Sequence, residues 1–78
     1  MRKSRHPKQY ERLLVALRAA RKEAGLTQGE VAAKFAAHAS FISKIESGER
    51  RIDVVELADL CKVYGVPLAM FLNRIGLS

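Results

Sequence analysis

Several features that common protein classes need are scarce or missing in this sequence. The single cysteine, Cys61, cannot form a disulfide within the chain, and no Cys/His spacing typical of a zinc site is present. No apolar run approaches the ~20 residues that cross a membrane. The basic start leads into Tyr10 and Glu11 instead of the apolar stretch of a secretion signal. We therefore expect a cytoplasmic protein with no membrane partner and no metal or other cofactor.

Residue patterns for catalysis are missing as well. Neither of the two histidines, His6 and His38, belongs to a Ser/His/Asp pattern, and no carboxylates are paired at a catalytic spacing. The eight acidic residues occur where helix caps or helix-surface charges are expected. The sequence therefore predicts that the protein is not an enzyme and has no catalytic residues.

Aromatic residues make up only 6% of the 78 residues, and tryptophan is absent, whereas hydrophobic residues reach 49%. A core of aliphatic side chains and alanine suits packed helices better than a sheet. A chain of this length forms one small domain. We expect a single all-α domain.

Basic residues are in clear excess over acidic residues. Fourteen Lys and Arg against eight Asp and Glu give a net charge of +6, and the sequence pI is about 10.0. A surplus of this size on a small domain fits a polyanionic partner. The alternative is that the basic residues only keep the chain soluble.

Helical spacing and caps divide the chain. Residues 1–9 are basic and lack periodicity, and Pro7 argues against a helix, so we expect a flexible arm. From Tyr10 onward apolar residues recur at helical spacing, and Thr27 with Glu30 forms a capping box for a second helix. Asp53 repeats this cap later in the chain.

The pattern predicts a compact bundle of about five helices over residues 10–73, followed by a C-terminal tail at residues 74–78. One stretch resists this interpretation. Residues 36–39 contain no turn former, so helix propensity alone predicts one continuous helix from residue 28 to residue 46.

Two stretches resemble the helix-turn-helix domain of phage repressors and Cro-like (XRE-type) regulators. The first reads LRAARKEAGLTQGEVA over residues 17–32, and the second reads FISKIESGER over residues 41–50. Either stretch alone is a weak signal, but the two together are specific. The resemblance covers most of the chain and implies a lambda-repressor-like helical bundle in a bacterial or phage-encoded protein.

The resemblance also implies a turn at residues 36–38 and a separate recognition helix at residues 39–46. The family usually has glycine at the position of Ala36 and serine or threonine at the position of His38. A left-handed alanine costs about 1 kcal/mol, which tertiary packing can absorb. Such a helix fits the major groove of DNA, where short side chains reach the base edges. The candidates for base contact are Ala39, Ser40, Phe41, Ser43 and Lys44.

Three of these base contacts have a structural alternative, which is core packing for Phe41 and simple solvation for Ser40 and Ser43. Residues that flank the recognition helix are candidates for contact with the phosphate backbone. These are Thr27, Gln28, His38, Arg50 and Arg51.

Cations in the N-terminal arm can follow a DNA backbone or enter a minor groove, and the alternative is a plain disordered tail. They are Arg2, Lys3, Arg5 and Lys8. Arg21 and Glu46 occupy positions where the family has an ion pair between the first helix and the end of the third. The resemblance therefore assigns these two residues a structural role.

One such domain contacts only a half-site, so we expect a homodimer on a palindromic operator. The C-terminal segment has more apolar side chains than one small core can bury. We predict that Met70, Ile75 and Leu77 form the symmetric contact, and the alternative is a frayed end.

Together these features predict sequence-specific binding of double-stranded DNA by a small transcription regulator, acting as a repressor or autoregulator. The alternative is a protein-binding module of the same fold that binds little DNA, such as an antitoxin, antiactivator or anti-repressor. The missing turn glycine leaves room for that alternative.

Overall fold

A computed structural model describes residues 7–77, which form five helices joined by short loops and no strand. The helices are α1 (Pro7–Glu23), α2 (Gln28–Lys34), α3 (Ala39–Ser47), α4 (Val54–Tyr64) and α5 (Leu68–Arg74). The predicted all-α class and the helix count are confirmed. Within these residues no helix combines the length and the apolar content that a membrane crossing requires.

Two of the helices begin with the same capping device. At α2 the Thr27 hydroxyl accepts from the Glu30 amide at 3.0 Å, and the Glu30 carboxylate accepts from the Thr27 amide at 2.8 Å. At α4, Asp53 and Glu56 make the equivalent pair at 2.7 and 3.1 Å. Each box satisfies two amides that the helix leaves without partners, so the start of both helices is fixed locally.

The chain breaks between α2 and α3 at a left-handed alanine. Ala36 has φ 52°, and it is the one residue other than glycine with positive φ among residues 7–77. The amide of Ala37 donates to the Ala32 carbonyl at 2.9 Å, and the Ala36 amide donates to the Ala33 carbonyl at 3.1 Å. This is a Schellman closure with alanine where glycine is usual. The turn implied by the resemblance is therefore present, and the continuous helix predicted by propensity alone is not.

The core is aliphatic, as the composition predicts. The largest fully buried side chains come from every helix: Leu17, Val31, Ile42, Ile45, Cys61 and Phe71. Burial raises the pKa of the Cys61 thiol, so the cysteine is a neutral apolar side chain at neutral pH.

The N-terminal boundary differs from the prediction. Helix α1 begins at Pro7, so Lys8 is helical, and its assignment to a flexible arm is wrong. Proline is favoured at the first position of a helix because its missing amide hydrogen needs no partner there. The other arm residues Arg2, Lys3 and Arg5 lie outside the described residues.

The C-terminal boundary also differs. Ile75 follows α5 directly and is only 3% exposed within the core. The amide of Leu77 donates to the Leu72 carbonyl at 2.8 Å, and the side-chain amide of Gln9 donates to the Gly76 carbonyl at 3.3 Å. The predicted dimer contact through Ile75 is wrong, because the apolar surplus of this segment is partly absorbed by the chain's own core.

Candidate nucleic-acid interface

Helix α3 lies against α1 and α2 through one face and leaves the other outside. Ile42 and Ile45 are buried, whereas Ser40 and Ser43 are half-buried and Lys44 is exposed. The hydroxyl of Ser43 donates to the Ser40 carbonyl at 3.3 Å, which leaves its lone pairs to accept from an outside donor. The apolar face therefore docks the helix, and the polar edge stays accessible.

The N-terminal end of α3 is capped by an imidazole. The Nδ1 atom of His38 accepts from the Ser40 amide at 3.2 Å and lies 3.1 Å from the Ser40 hydroxyl. Because Nδ1 accepts here, a neutral ring carries its hydrogen on Nε2. His38 stands where the resembling family usually has serine or threonine, yet it performs the capping role and keeps a second nitrogen that can donate to a phosphate.

The C-terminal end of α3 is tied to α1 by the predicted ion pair. Arg21 Nε lies 2.7 Å from Glu46 Oε2, and Arg21 Nη2 lies 3.1 Å from Oε1, so the contact is bidentate. The two side chains are only 10% and 5% exposed. Arg21 Nη1 also donates to the Leu26 carbonyl at 2.9 Å, which adds the α1–α2 loop to the same contact.

The protonation states of this pair follow from its contacts. Hydrogen bonding to Glu46 raises the pKa of Arg21 above its ordinary value. Burial opposes ionisation of Glu46, but hydrogen bonds from Arg21 and Gln28 outweigh it and hold the pKa of the carboxyl below its ordinary value. Gln28, predicted as a phosphate contact, donates its side-chain amide to Glu46 at 3.0 Å. Both charges are therefore present at neutral pH.

A glycine allows the chain to leave α3 close to α1. Gly48 has φ 84°, and a Cβ atom at this position would lie 3.1 Å from Leu14 Cδ1. The amide of Arg50 then donates to the Lys44 carbonyl at 3.0 Å, so the loop folds back on the last turn of α3. Conformation and space both favour glycine here.

The two arginines predicted to straddle the DNA backbone have different surroundings. Arg50 donates to both carboxylate oxygens of Glu56 and lies over the ring of Phe41. The guanidinium of Arg51 lies 4.5 Å from the centre of the Tyr10 ring and has no carboxylate partner among residues 7–77.

The remaining predicted residues fall into two groups. Ala39 is exposed at the first position of α3, and Thr27 is exposed but uses its hydroxyl in the α2 capping box. Phe41 is half-buried, and its ring meets the Phe35 ring edge-on at 6.2 Å. Phe41 therefore packs on other protein groups, which was the alternative weighed for it.

Two participants were missed from the sequence. Tyr10 supports Arg51 with its ring and accepts from the Ile52 amide at 3.4 Å through its hydroxyl. Glu56 follows Asp53 at the spacing of a capping box, and nothing in that spacing indicates that it also binds Arg50. Only the aromatic character of Tyr10 near the start of α1 could have drawn attention to it.

A comparison with protein-family models agrees with this geometry. The model described as "Helix-turn-helix domain" matches residues 12–71, which include α2, the left-handed turn and α3. No curated protein and no solved structure gives a significant match to the sequence. The chain therefore belongs to the helix-turn-helix domain family.

Proposed function

We propose that this protein is a sequence-specific regulator of transcription whose α3 enters the major groove of double-stranded DNA. The observation that carries the proposal is the independence of α3. A left-handed break at Ala36 separates it from α2, its apolar face is buried, and its polar edge faces outward. A groove of B-DNA admits one helix in this way.

Base recognition falls to the outer edge of α3. Ser40 and Ser43 exchange hydrogen bonds with base edges, Lys44 donates to guanine O6 and N7, and Ala39 meets a thymine methyl. Phe41 is omitted from this set because its ring is covered by Arg50 and Phe35. His38 and Arg51 contact phosphates on either side and fix the register of the helix.

The active species is a homodimer on a palindromic operator, and it acts as a repressor or autoregulator. Met70 and Leu77 remain 50% and 49% exposed near the C-terminal end, which is a surface suited to a symmetric contact. Replacing Met70 and Leu77 by lysine should convert a dimer to a monomer in sedimentation equilibrium. A wild-type mass equal to one chain at high micromolar concentration would remove the dimer from the proposal.

Selection of bound DNA from a random pool, followed by salt titration, tests the central proposal. We expect a palindromic site and an affinity that falls steeply as salt rises, because each neutralised phosphate releases counterions. Lys44→Ala should lose about 1–3 kcal/mol on the selected site and relax its sequence preference. Lys62→Ala is the matched control, since Lys62 is an exposed lysine on α4. Recovery of no site, or equal losses in both variants on a recovered site, would overturn the proposal.

The alternative function, recognition of another protein, has one observation in its favour. A groove of about 500 Å³ lies between α1 and the end of α5, with Val15 and Ile75 in its lining. Val15 is 70% exposed, the highest value among the large hydrophobic residues described. Three cations and one acid also line the groove: Lys8, Arg12, Arg74 and Glu11. This charge balance fits an acidic protein segment with an apolar anchor.

A labelled peptide of alternating glutamate and leucine probes this alternative. Binding should shift the amide resonances of Val15 and Ala16 and should be lost in an Arg12→Glu, Arg74→Glu variant that still binds DNA. Shifts confined to α3, or binding that survives both charge reversals, would exclude the groove as the site.

A further inference from the structure

The structure separates two neighbouring arginines that the sequence treats as equivalent. On the basis of the proposed DNA binding, we infer that Arg50 is a positioning residue that holds α3 in its DNA-reading orientation and does not bind phosphate. Arg51 is then the arginine of this loop that contacts the DNA backbone.

The fork of Arg50 is already occupied within the protein. Nη1 donates to Glu56 Oε1 at 3.0 Å and Nη2 donates to Glu56 Oε2 at 2.8 Å, which is a bidentate pair. Nη1 also donates to the carbonyl of Arg51 at 3.1 Å. Hydrogen bonding to Arg50 lowers the pKa of Glu56, so the carboxylate is charged at neutral pH. A phosphate approaching this Nη1–Nη2 edge would therefore have to displace a charged partner with matched geometry.

The face of the same guanidinium is in use as well. It lies 4.8 Å from the centre of the Phe41 ring, and that ring meets Phe35 at the end of α2. Glu56, the other partner, belongs to the capping box of α4. Arg50 thus connects Phe41 of α3 to the start of α4, and the Phe41 ring extends this contact to the end of α2. The Arg50 side chain and the hydrogen bond from its backbone amide to the Lys44 carbonyl together limit rotation of α3 about its own axis.

Arg51 offers the contrast. Its guanidinium stacks 4.5 Å from the Tyr10 ring, and no carboxylate among the described residues pairs with it. Stacking on an aromatic face restrains the side chain and leaves its N–H groups available, which suits a phosphate contact. Because no described carboxylate pairs with Arg51, it can neutralise a phosphate without breaking an existing ion pair.

Two variants distinguish positioning from phosphate binding because they leave a positive charge at residue 50. Arg50→Lys keeps the charge but loses the planar fork and the stacking surface. Glu56→Gln leaves Arg50 intact. The side-chain amide oxygen that replaces the carboxylate at residue 56 still accepts from the Asp53 backbone amide, so the capping box is retained. Operator affinity and its salt dependence are measured for both, with Arg51→Ala as the comparison.

We expect Arg50→Lys, which loses the bidentate ion pair and the cation–π contact, to bind about three- to tenfold more weakly than wild type. Glu56→Gln, which loses only the ion pair, should bind up to about fivefold more weakly. Neither should change the slope of log affinity against log salt. Arg51→Ala should reduce that slope by about 0.9, the value for one lost phosphate contact. Wild-type affinity in Arg50→Lys, or tighter binding in Glu56→Gln because the arginine has been freed, would overturn the inference.

A second readout, in the protein without DNA, separates this inference from the proposed function. Both Arg50→Lys and Glu56→Gln should shift the Phe41 ring resonances, and Arg51→Ala should leave them unchanged. Unshifted Phe41 resonances would refute the positioning role even if DNA binds. If the Phe41 shifts appear but wild type shows no salt-dependent DNA binding, the proposed function fails and the DNA-reading role of Arg50 fails with it.

Discussion

The two ends of helix α3 are held by different kinds of contact. At the C-terminal end, the Glu46 side chain is 5% exposed and meets Arg21 and Gln28. At the N-terminal end, the exposed residues Ala36 and His38 hold the helix through a strained turn and an imidazole cap. The C-terminal end is therefore fixed by buried contacts between residues that are distant in sequence. The N-terminal end is fixed by exposed contacts between residues that are close in sequence.

This difference matches the proposed roles of the two ends. Of the residues proposed to read bases, Ala39, Ser40 and Ser43 lie in the half of α3 next to His38, whereas Lys44 lies closer to the buried pair at the far end. Elements held by few buried contacts open at low free-energy cost, whereas those tied to the core follow global unfolding. Under the proposed function, the C-terminal anchor sets the direction of the helix and the weaker N-terminal end adjusts to the base edges.

The largest expected effect comes from breaking the buried anchor. Arg21→Ala leaves the Glu46 carboxylate buried and without its guanidinium, which should cost about 3–5 kcal/mol of unfolding free energy. Urea denaturation measures this loss. Lys22→Ala, at an exposed neighbouring position on α1, should change stability by no more than about 0.5 kcal/mol.

The double variant Arg21→Met, Glu46→Leu sharpens this result. It removes both charges and fills a similar volume, so it should recover most of the stability lost in Arg21→Ala. Equal losses in Arg21→Ala and Lys22→Ala would show that the anchor is no stronger than a surface contact, and the contrast between the two ends of α3 would disappear.

Acid should weaken the same end by a smaller amount. The folded pKa of Glu46 lies below its ordinary value of 4.5, so its stabilising contribution is present above that pH and is lost as pH falls through the folded pKa. The loss is smaller than in Arg21→Ala because a protonated carboxyl can still accept a hydrogen bond from Arg21. Glu46→Gln should show a shallower decline of the urea midpoint between neutral pH and about pH 3. An unchanged decline would assign the effect to other carboxyls, such as Glu30 and Glu56, whose pKa values are also lowered.

Removing the cap at the other end should have a moderate, local effect. His38→Ala takes away the acceptor for the Ser40 amide and should cost about 1 kcal/mol. Hydrogen exchange should accelerate at Ser40 while the amide of Ile45 changes only as much as global stability does. His38→Asn, a preferred cap, should retain protection. Equal acceleration at Ser40 and Ile45 would mean that the two ends of α3 open together.

Much of the fold follows from local sequence features. The capping residues Thr27 and Asp53 mark helix starts, and the apolar spacing around Leu17 identifies the buried face of α1. These signals act within a few residues, so composition and spacing contain them. Pro7 was misinterpreted because proline both starts helices and breaks them, and only its neighbours in space decide which applies.

The candidate site was less predictable because its contacts join distant parts of the chain. The Arg21–Glu46 pair was anticipated through family resemblance and not through local pattern. No spacing rule distinguishes Arg50 from Arg51, since the distinction depends on how the loop returns to Glu56 and Tyr10. Ala36 illustrates the same limit: alanine favours helix, and tertiary packing of α2 on α3 overrides that preference.

The smallest expected effect is a gain in stability, and it tests directly whether tertiary packing overrides the helix preference of Ala36. Ala36→Gly should stabilise the protein by about 0.5–1 kcal/mol, because glycine adopts the left-handed conformation without the steric cost of a Cβ atom. Ala33→Gly is the matched control, since Ala33 is also exposed but lies inside α2, where glycine should cost about 1 kcal/mol. Thermal unfolding of the two variants should therefore shift in opposite directions. A loss of stability in both would mean that residue 36 is helical in solution, and α3 would not be the separate helix on which the proposed DNA recognition depends.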